Sequence, residues 1–122
     1  MSAFRGYFDR VDAREERLVN NETMFRRINE RIEEVAKAQG SADGHTYEFL
    51  CECSNADCTL RVPLSSTAYE SVRRDPAQFV VASGHELPEI EVVVFRTKDY
   101  QVVRKQGEAA EVATEEDPRG GR

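Results

Sequence analysis

No stretch of this 122-residue chain stays apolar long enough to cross a bilayer, which takes about 20 consecutive apolar residues in a helix. The segment from Met1 to Asp9 lacks a basic start followed by an apolar run, so it does not read as a secretory signal. The expected location is therefore cytoplasmic. There is no G-x-S-x-G elbow, no phosphate-binding P-loop and no dinucleotide fingerprint, which removes the common hydrolase, nucleotide and nicotinamide chemistries. Positive charge is also short. The net charge is -6, and phosphate repulsion disfavours a nucleic-acid partner. The adjacent basic pairs Arg26-Arg27, Arg73-Arg74 and Arg104-Lys105 are surrounded by acids and read as solvated charged faces.

What is present is a cluster. All three cysteines, Cys51, Cys53 and Cys58, fall in one C-x-C-x4-C segment. In a reducing compartment an odd, clustered set reads as metal-binding or redox-active rather than as a disulfide scaffold. Zinc takes thiolate and imidazole ligands, and structural zinc sites close with four. Cys51 and Cys53 share a face if the strand runs through both, because alternate strand residues point the same way. The turn at 54–57 lets Cys58 fold back onto the same ion. The fourth ligand is His85 or His45, the only two histidines. His85 is preferred, because it sits in a Gly84-His85 turn and a distant ligand ties the second half of the chain to the first. One structural zinc ion on Cys51, Cys53, Cys58 and His85 is the expectation; clustered thiolates also accept iron. The same cysteine spacing resembles the post-SET segment of histone methyltransferases, a likeness of zinc geometry alone.

Hydrophobic periodicity supplies the frame. Residues 21–38 predict a helix capped by Asn20 or Asn21, with Met24, Phe25, Ile28, Ile32 and Val35 on one stripe at heptad-like steps. The favoured role of that stripe is packing on the protein's own sheet; the alternative is a homodimer or a protein partner. Residues 1–19 read as a flexible or helical extension, and Gly40-Ser41-Ala42-Asp43-Gly44 as a flexible link. Alternation predicts strands at 46–51 and 59–64, forming a hairpin with the cysteines at its tip. Thr67 and Glu70 make a capping box for a short helix that ends near Asp75-Pro76. A short strand follows at 79–81, then a hairpin from 90–95 and 100–105 at the heart of the sheet, then a helical turn at 108–112. Residues 113–122 are too polar to fold and read as a disordered tail. The fold class is α+β: a small antiparallel sheet, an N-terminal amphipathic helix and a zinc site of three cysteines and one histidine, all in one domain over 20–112.

Several segments together resemble a family of small bacterial proteins, mainly of high-GC Gram-positive bacteria. They are Asn21-Glu22-x-x-Phe25-Arg26-x-x-Asn29-Glu30-Arg31-Ile32-Glu33-Glu34, Cys51-x-Cys53-x4-Cys58, Tyr69-Glu70-x-Val72-Arg73, Gly84-His85-Glu86 and Asp117-Pro118-Arg119. The resemblance spans most of 20–119 and favours His85 over His45, since Gly-His-Glu belongs to the shared pattern. It implies no activity, as none is established for the family.

The functional expectation is a non-enzymatic, zinc-binding regulatory or adaptor module acting through protein contacts. A thiol and zinc redox sensor is the alternative. A zinc hydrolase or deaminase with Glu86 as base is the third reading, against which stands the missing H-x-E and P-C-x-x-C pattern.

Overall fold

A computed structural model describes residues 13–38, 45–53, 55 and 57–119, with side chains from Glu22 onward. The expectations for residues 1–12, the link at 40–44 and the end of the tail at 120–122 lie outside the described residues. The element order is α1 (Ala13–Ala38), β1 (Thr46–Leu50), β2 (Arg61–Ser65), α2 (Ser66–Arg73), β3 (Gln78–Val81), β4 (Glu91–Arg96), β5 (Gln101–Lys105) and α3 (Gly107–Glu115). The class is α+β, with two small antiparallel sheets rather than one: β1-β2 and β3-β5-β4.

The hairpin β1-β2 forms where alternation predicts it, with Phe49 opposite Val62 and Tyr47 opposite Leu64. Phe49, Val62 and Leu64 face the core, and Leu60, just outside β2, stays exposed. Phe49 stacks on Tyr69 of α2 with ring centroids 4.6 Å apart. In the second sheet β5 is central and β4 is an edge strand, bulged between Val93 and Phe95. The Thr97 hydroxyl closes the β4-β5 turn by accepting from the Asp99 and Tyr100 amides at 3.1 and 3.0 Å. The Glu52 amide donates to the Val80 carbonyl at 2.7 Å, joining the cysteine loop to β3.

Four expectations need correction. First, α1 starts at Ala13, so Asn20 and Asn21 lie inside the helix rather than capping it. Second, α2 is capped by Ser65, whose hydroxyl accepts from the Ala68 amide at 3.0 Å. Glu70 does not close a box with Thr67; it pairs with Arg119 instead, at 2.9 and 3.0 Å. Third, residues 113–119 are ordered. α3 runs to Glu115 with Val112 and Ala113 buried, and Asp117 is buried against Arg73. The polar composition misled because these charges find partners within the fold. Fourth, one member of each basic pair is buried, not solvated: Arg26, Arg73 and Lys105.

The orientation of α1 departs most from expectation. The apolar stripe faces outward, leaving Met24, Ile28 and Val35 exposed at 51%, 45% and 48%. Ile32 alone of the stripe packs against the core cluster. The inward face is Glu22, Arg26, Asn29 and Glu33, a helical 4-3-4 spacing of polar residues. Each has a partner on the body. Lys105 Nζ lies 2.5 and 2.6 Å from the two Glu22 oxygens and also pairs with Glu91. Arg26 donates to the Gln78 carbonyl and lies over the Phe79 ring, 3.7 Å from its centroid. Asn29 brackets Leu50, donating to its carbonyl at 2.9 Å and accepting from its amide at 2.7 Å. Arg119 reaches Glu30 at 2.9 Å and Glu33 at 3.1 Å, strapping the C-terminal segment across α1. Buried charges are tolerated when paired and hydrogen-bonded, and that condition inverts the usual amphipathic rule here.

Candidate metal centre

Two segments deliver the candidate ligands, the β1-β2 connection and the β3-β4 connection. Cys51 follows β1, with its amide donating to the Leu60 carbonyl at 3.1 Å, so the hairpin ladder extends one step beyond the strand. Cys53 lies two residues on. An Asx turn follows, with Asn55 Oδ1 accepting from the Asp57 amide at 2.9 Å and the Asn55 carbonyl accepting from the Cys58 amide at 3.0 Å. This turn returns Cys58 toward the pair. His85 enters from the β3-β4 connection, where its amide closes a turn onto the Ala82 carbonyl at 3.0 Å. Gly84 takes φ +83 in that turn, a left-handed angle that side-chain-bearing residues rarely adopt.

The ligand atoms of Cys51, Cys53, Cys58 and His85 all lie within 4.8 Å of one another. His85 Nδ1 is 3.6 Å from Cys51 Sγ and 3.7 Å from Cys58 Sγ. A tetrahedral zinc ion with bonds of about 2.3 Å to sulfur and about 2.05 Å to nitrogen sets those atoms ~3.6 Å apart. The donor set, the count of four and the two His85–thiol separations fit a tetrahedral ion, and the cluster can hold a metal. Cys51 and Cys53 are buried, while Cys58 and His85 are half-buried. His45 stands apart, edge-on to Tyr47 with ring centroids 4.6 Å apart.

The electrostatics of the bare cluster show why a cation suits it. A hydrogen bond from the Cys51 thiol, ahead of weaker ones, brings Cys53 down to about 5 against the cost of burial. The same bond holds Cys51 well above the usual thiol range, with burial adding to it. Burial also pushes Cys58 up. One thiolate is thus accommodated, and further deprotonation needs positive charge among the sulfurs, which a bound divalent ion supplies.

Two supports were not anticipated from the sequence. The Ala82 amide donates to Cys51 Sγ at 3.1 Å, a contact that orients the sulfur and stabilises its thiolate. Gln101, buried on β5, pins the histidine turn: its Oε1 accepts from the Gly84 amide at 3.2 Å and its Nε2 donates to Glu86 at 2.8 Å. The latter bond lowers the Glu86 carboxyl below its ordinary value.

The third unanticipated residue is Glu52, the spacer of C-x-C, which is fully buried. Its Oε2 accepts from Asn29 Nδ2 at 2.9 Å and from the Tyr69 hydroxyl at 2.7 Å, and its Oε1 accepts from the Val80 amide at 3.0 Å. One carboxylate therefore joins α1, α2 and β3 behind the loop of candidate ligands. Period-two alternation gives no signal for it: Phe49, Cys51 and Cys53 share one face and are all buried, which leaves Glu52 reading as a solvent-facing residue.

Comparison of the chain with family models, with curated proteins and with solved structures gave no match. Among the described residues, no helix is long and apolar enough to cross a membrane.

Proposed function

We propose that this chain is a zinc-binding, non-catalytic module, closed by one structural ion on Cys51, Cys53, Cys58 and His85, which acts in a regulatory or adaptor role through protein contacts of α1. The observation that carries the reading is the grouping of three thiols and one imidazole, drawn from both halves of the chain, within 4.8 Å of one another. Four protein ligands leave no position for the water that a zinc hydrolase activates, and Glu86 is engaged by Gln101. The outward apolar stripe of α1 supports the contact role, since exposed apolar patches mark interaction surfaces.

The test is native mass spectrometry of purified, reduced protein with and without chelator, alongside circular dichroism. One zinc per chain, with cooperative loss of fold on its removal, is the expected result, because structural zinc supplies folding free energy. Cys53→Ser and His85→Ala abolish stoichiometric zinc, whereas His45→Ala and Glu86→Gln leave it in place. Absence of metal under reducing conditions overturns the reading, and iron in place of zinc corrects its metal.

The grouping of three free thiols within 4.8 Å of one another supports a second reading, a redox sensor built on the same residues. Hydrogen peroxide would take two electrons from two thiolates, forming one S–S bond as its O–O bond breaks and two solvent protons complete two waters, and zinc would leave. Reversible zinc release under mild peroxide, restored by thiol reductant, distinguishes it from the purely structural site.

A further inference from the structure

The stripe on α1 is the largest unexplained feature of the fold. It lies along one side of a groove of about 520 Å³ between Ile28, Ile32 and Val35 of α1 and Tyr47 of β1. The helix is fixed in this orientation by the partners of Glu22, Arg26, Asn29 and Glu33, so turning the stripe inward would strip four buried polar side chains of their contacts. What covers the stripe must come from outside the described residues.

We infer that the occupant is the same stripe of a second copy, packed antiparallel. This rests on the reading of α1 as a contact surface and names its partner. The argument is charge complementarity under two-fold symmetry. Met24, Ile28, Arg31 and Val35 follow 4-3-4 steps and form the seam. Arg27 and Glu34 are both exposed and, seven residues apart, line the same flank of that seam. A two-fold axis perpendicular to two antiparallel helices brings like flanks together, so Arg27 of each copy meets Glu34 of the other. In that register Met24 lies across from Val35, and the aliphatic stem of Arg31 covers Ile28. A parallel pairing instead brings unlike flanks together, setting Arg27 and Glu34 against the Phe25 and Ile32 flank of the other copy, with no charge partner. The opposite flank carries Phe25 and Ile32; Phe25 of each copy meets Ile32 of the other and extends the apolar contact. One helix face is a small interface, at or below the lower end of the specific size range, so self-association is in the micromolar range or weaker.

Sedimentation velocity of the full, zinc-loaded chain over about 1 to 500 µM tests this. The expected result is a concentration-dependent monomer–dimer equilibrium that Ile28→Asp weakens at least tenfold. Arg27→Glu alone and Glu34→Arg alone each set like charges together twice per dimer. Each weakens association about five- to tenfold at low salt, less at high salt, where screening shortens the reach of the charges. The double swap Arg27→Glu/Glu34→Arg restores association to within about twofold, a rescue that merely misfolded variants do not show. A folded, zinc-loaded chain that stays monomeric at the highest concentration overturns the inference and leaves the zinc module standing. A dimer without rescue by the double swap overturns the antiparallel pairing. A metal-free chain that still dimerises with rescue keeps the inference and sinks the zinc reading instead.

Discussion

Replacing Glu52 by alanine isolates the link between the cysteine loop and the rest of the fold. The carboxylate is fully buried and accepts three hydrogen bonds, from Asn29, Tyr69 and the Val80 amide. Each bond to a charged group contributes about 1.5–3 kcal/mol net, and each orphaned buried donor carries a desolvation cost of about 1–3 kcal/mol. These do not add, since the donors share one acceptor. The fitting comparison is the loss of one partner from a buried charged network, about 3–5 kcal/mol. Against a total stability of about 5–15 kcal/mol this is a large share. Urea unfolding of zinc-loaded protein should show a lowered midpoint at unchanged slope, because the same surface is exposed. Glu52 also fixes the backbone between two candidate ligands, so on the proposed site metal affinity falls as well, by about 10- to 100-fold as for other ligand-orienting groups. Glu52→Gln keeps the volume but turns an amide donor toward existing donors, and lies between wild type and alanine. A loss under about 1 kcal/mol for alanine, with unchanged zinc affinity, would refute the account of Glu52 as the residue that joins the layers.

Two further outcomes follow from the buried charges. Burial raises Glu22 to about 8, with Lys105 opposing and Glu91 adding to the shift. A raised folded-state pKa means stability that is complete below about pH 4.5 and is lost as pH climbs through 8. Glu22→Gln should therefore flatten the pH dependence of the unfolding midpoint between pH 5 and 9 relative to wild type, and a parallel profile would refute the assignment. Arg119 binds Glu70 bidentately and holds its carboxyl down to about 2. Arg119→Ala should cost about 1–2 kcal/mol, part of it screened because Glu70 is partly exposed, and should speed amide exchange in α3 and the facing part of α1; unchanged exchange there would dismiss the strap.

The parts of the fold visible in the sequence are those set by neighbours along the chain. Period-two alternation located the first hairpin and a β-prone run the second, and the cysteine spacing singled out three side chains that the structure gathers with His85. The parts that escaped depend on partners far away. Lys105 meets Glu22 across 83 positions and Arg119 meets Glu30 across 89, separations that no local window samples. Without those partners, Arg26, Arg73 and Lys105 look like surface, and 113–119 look unstructured. The stripe on α1 was found, but its direction was not. Periodicity identifies two faces of a helix, and only the chemistry of the opposing surface decides which one turns inward.

The position of Glu52 between two of the candidate ligands has a thermodynamic corollary. Asn29, on the inward face of the helix that displays the stripe, hydrogen-bonds the very residue whose backbone spans Cys51 and Cys53. Ordering one end therefore favours order at the other. Linkage makes such an effect symmetric: by whatever factor an ion at the thiolates tightens a contact on α1, that contact tightens the ion by the same factor. On the proposed site, a chain held by a partner would then bind its metal more tightly than a free one, and occupancy of the helix would register in the chelator concentration needed to empty the loop.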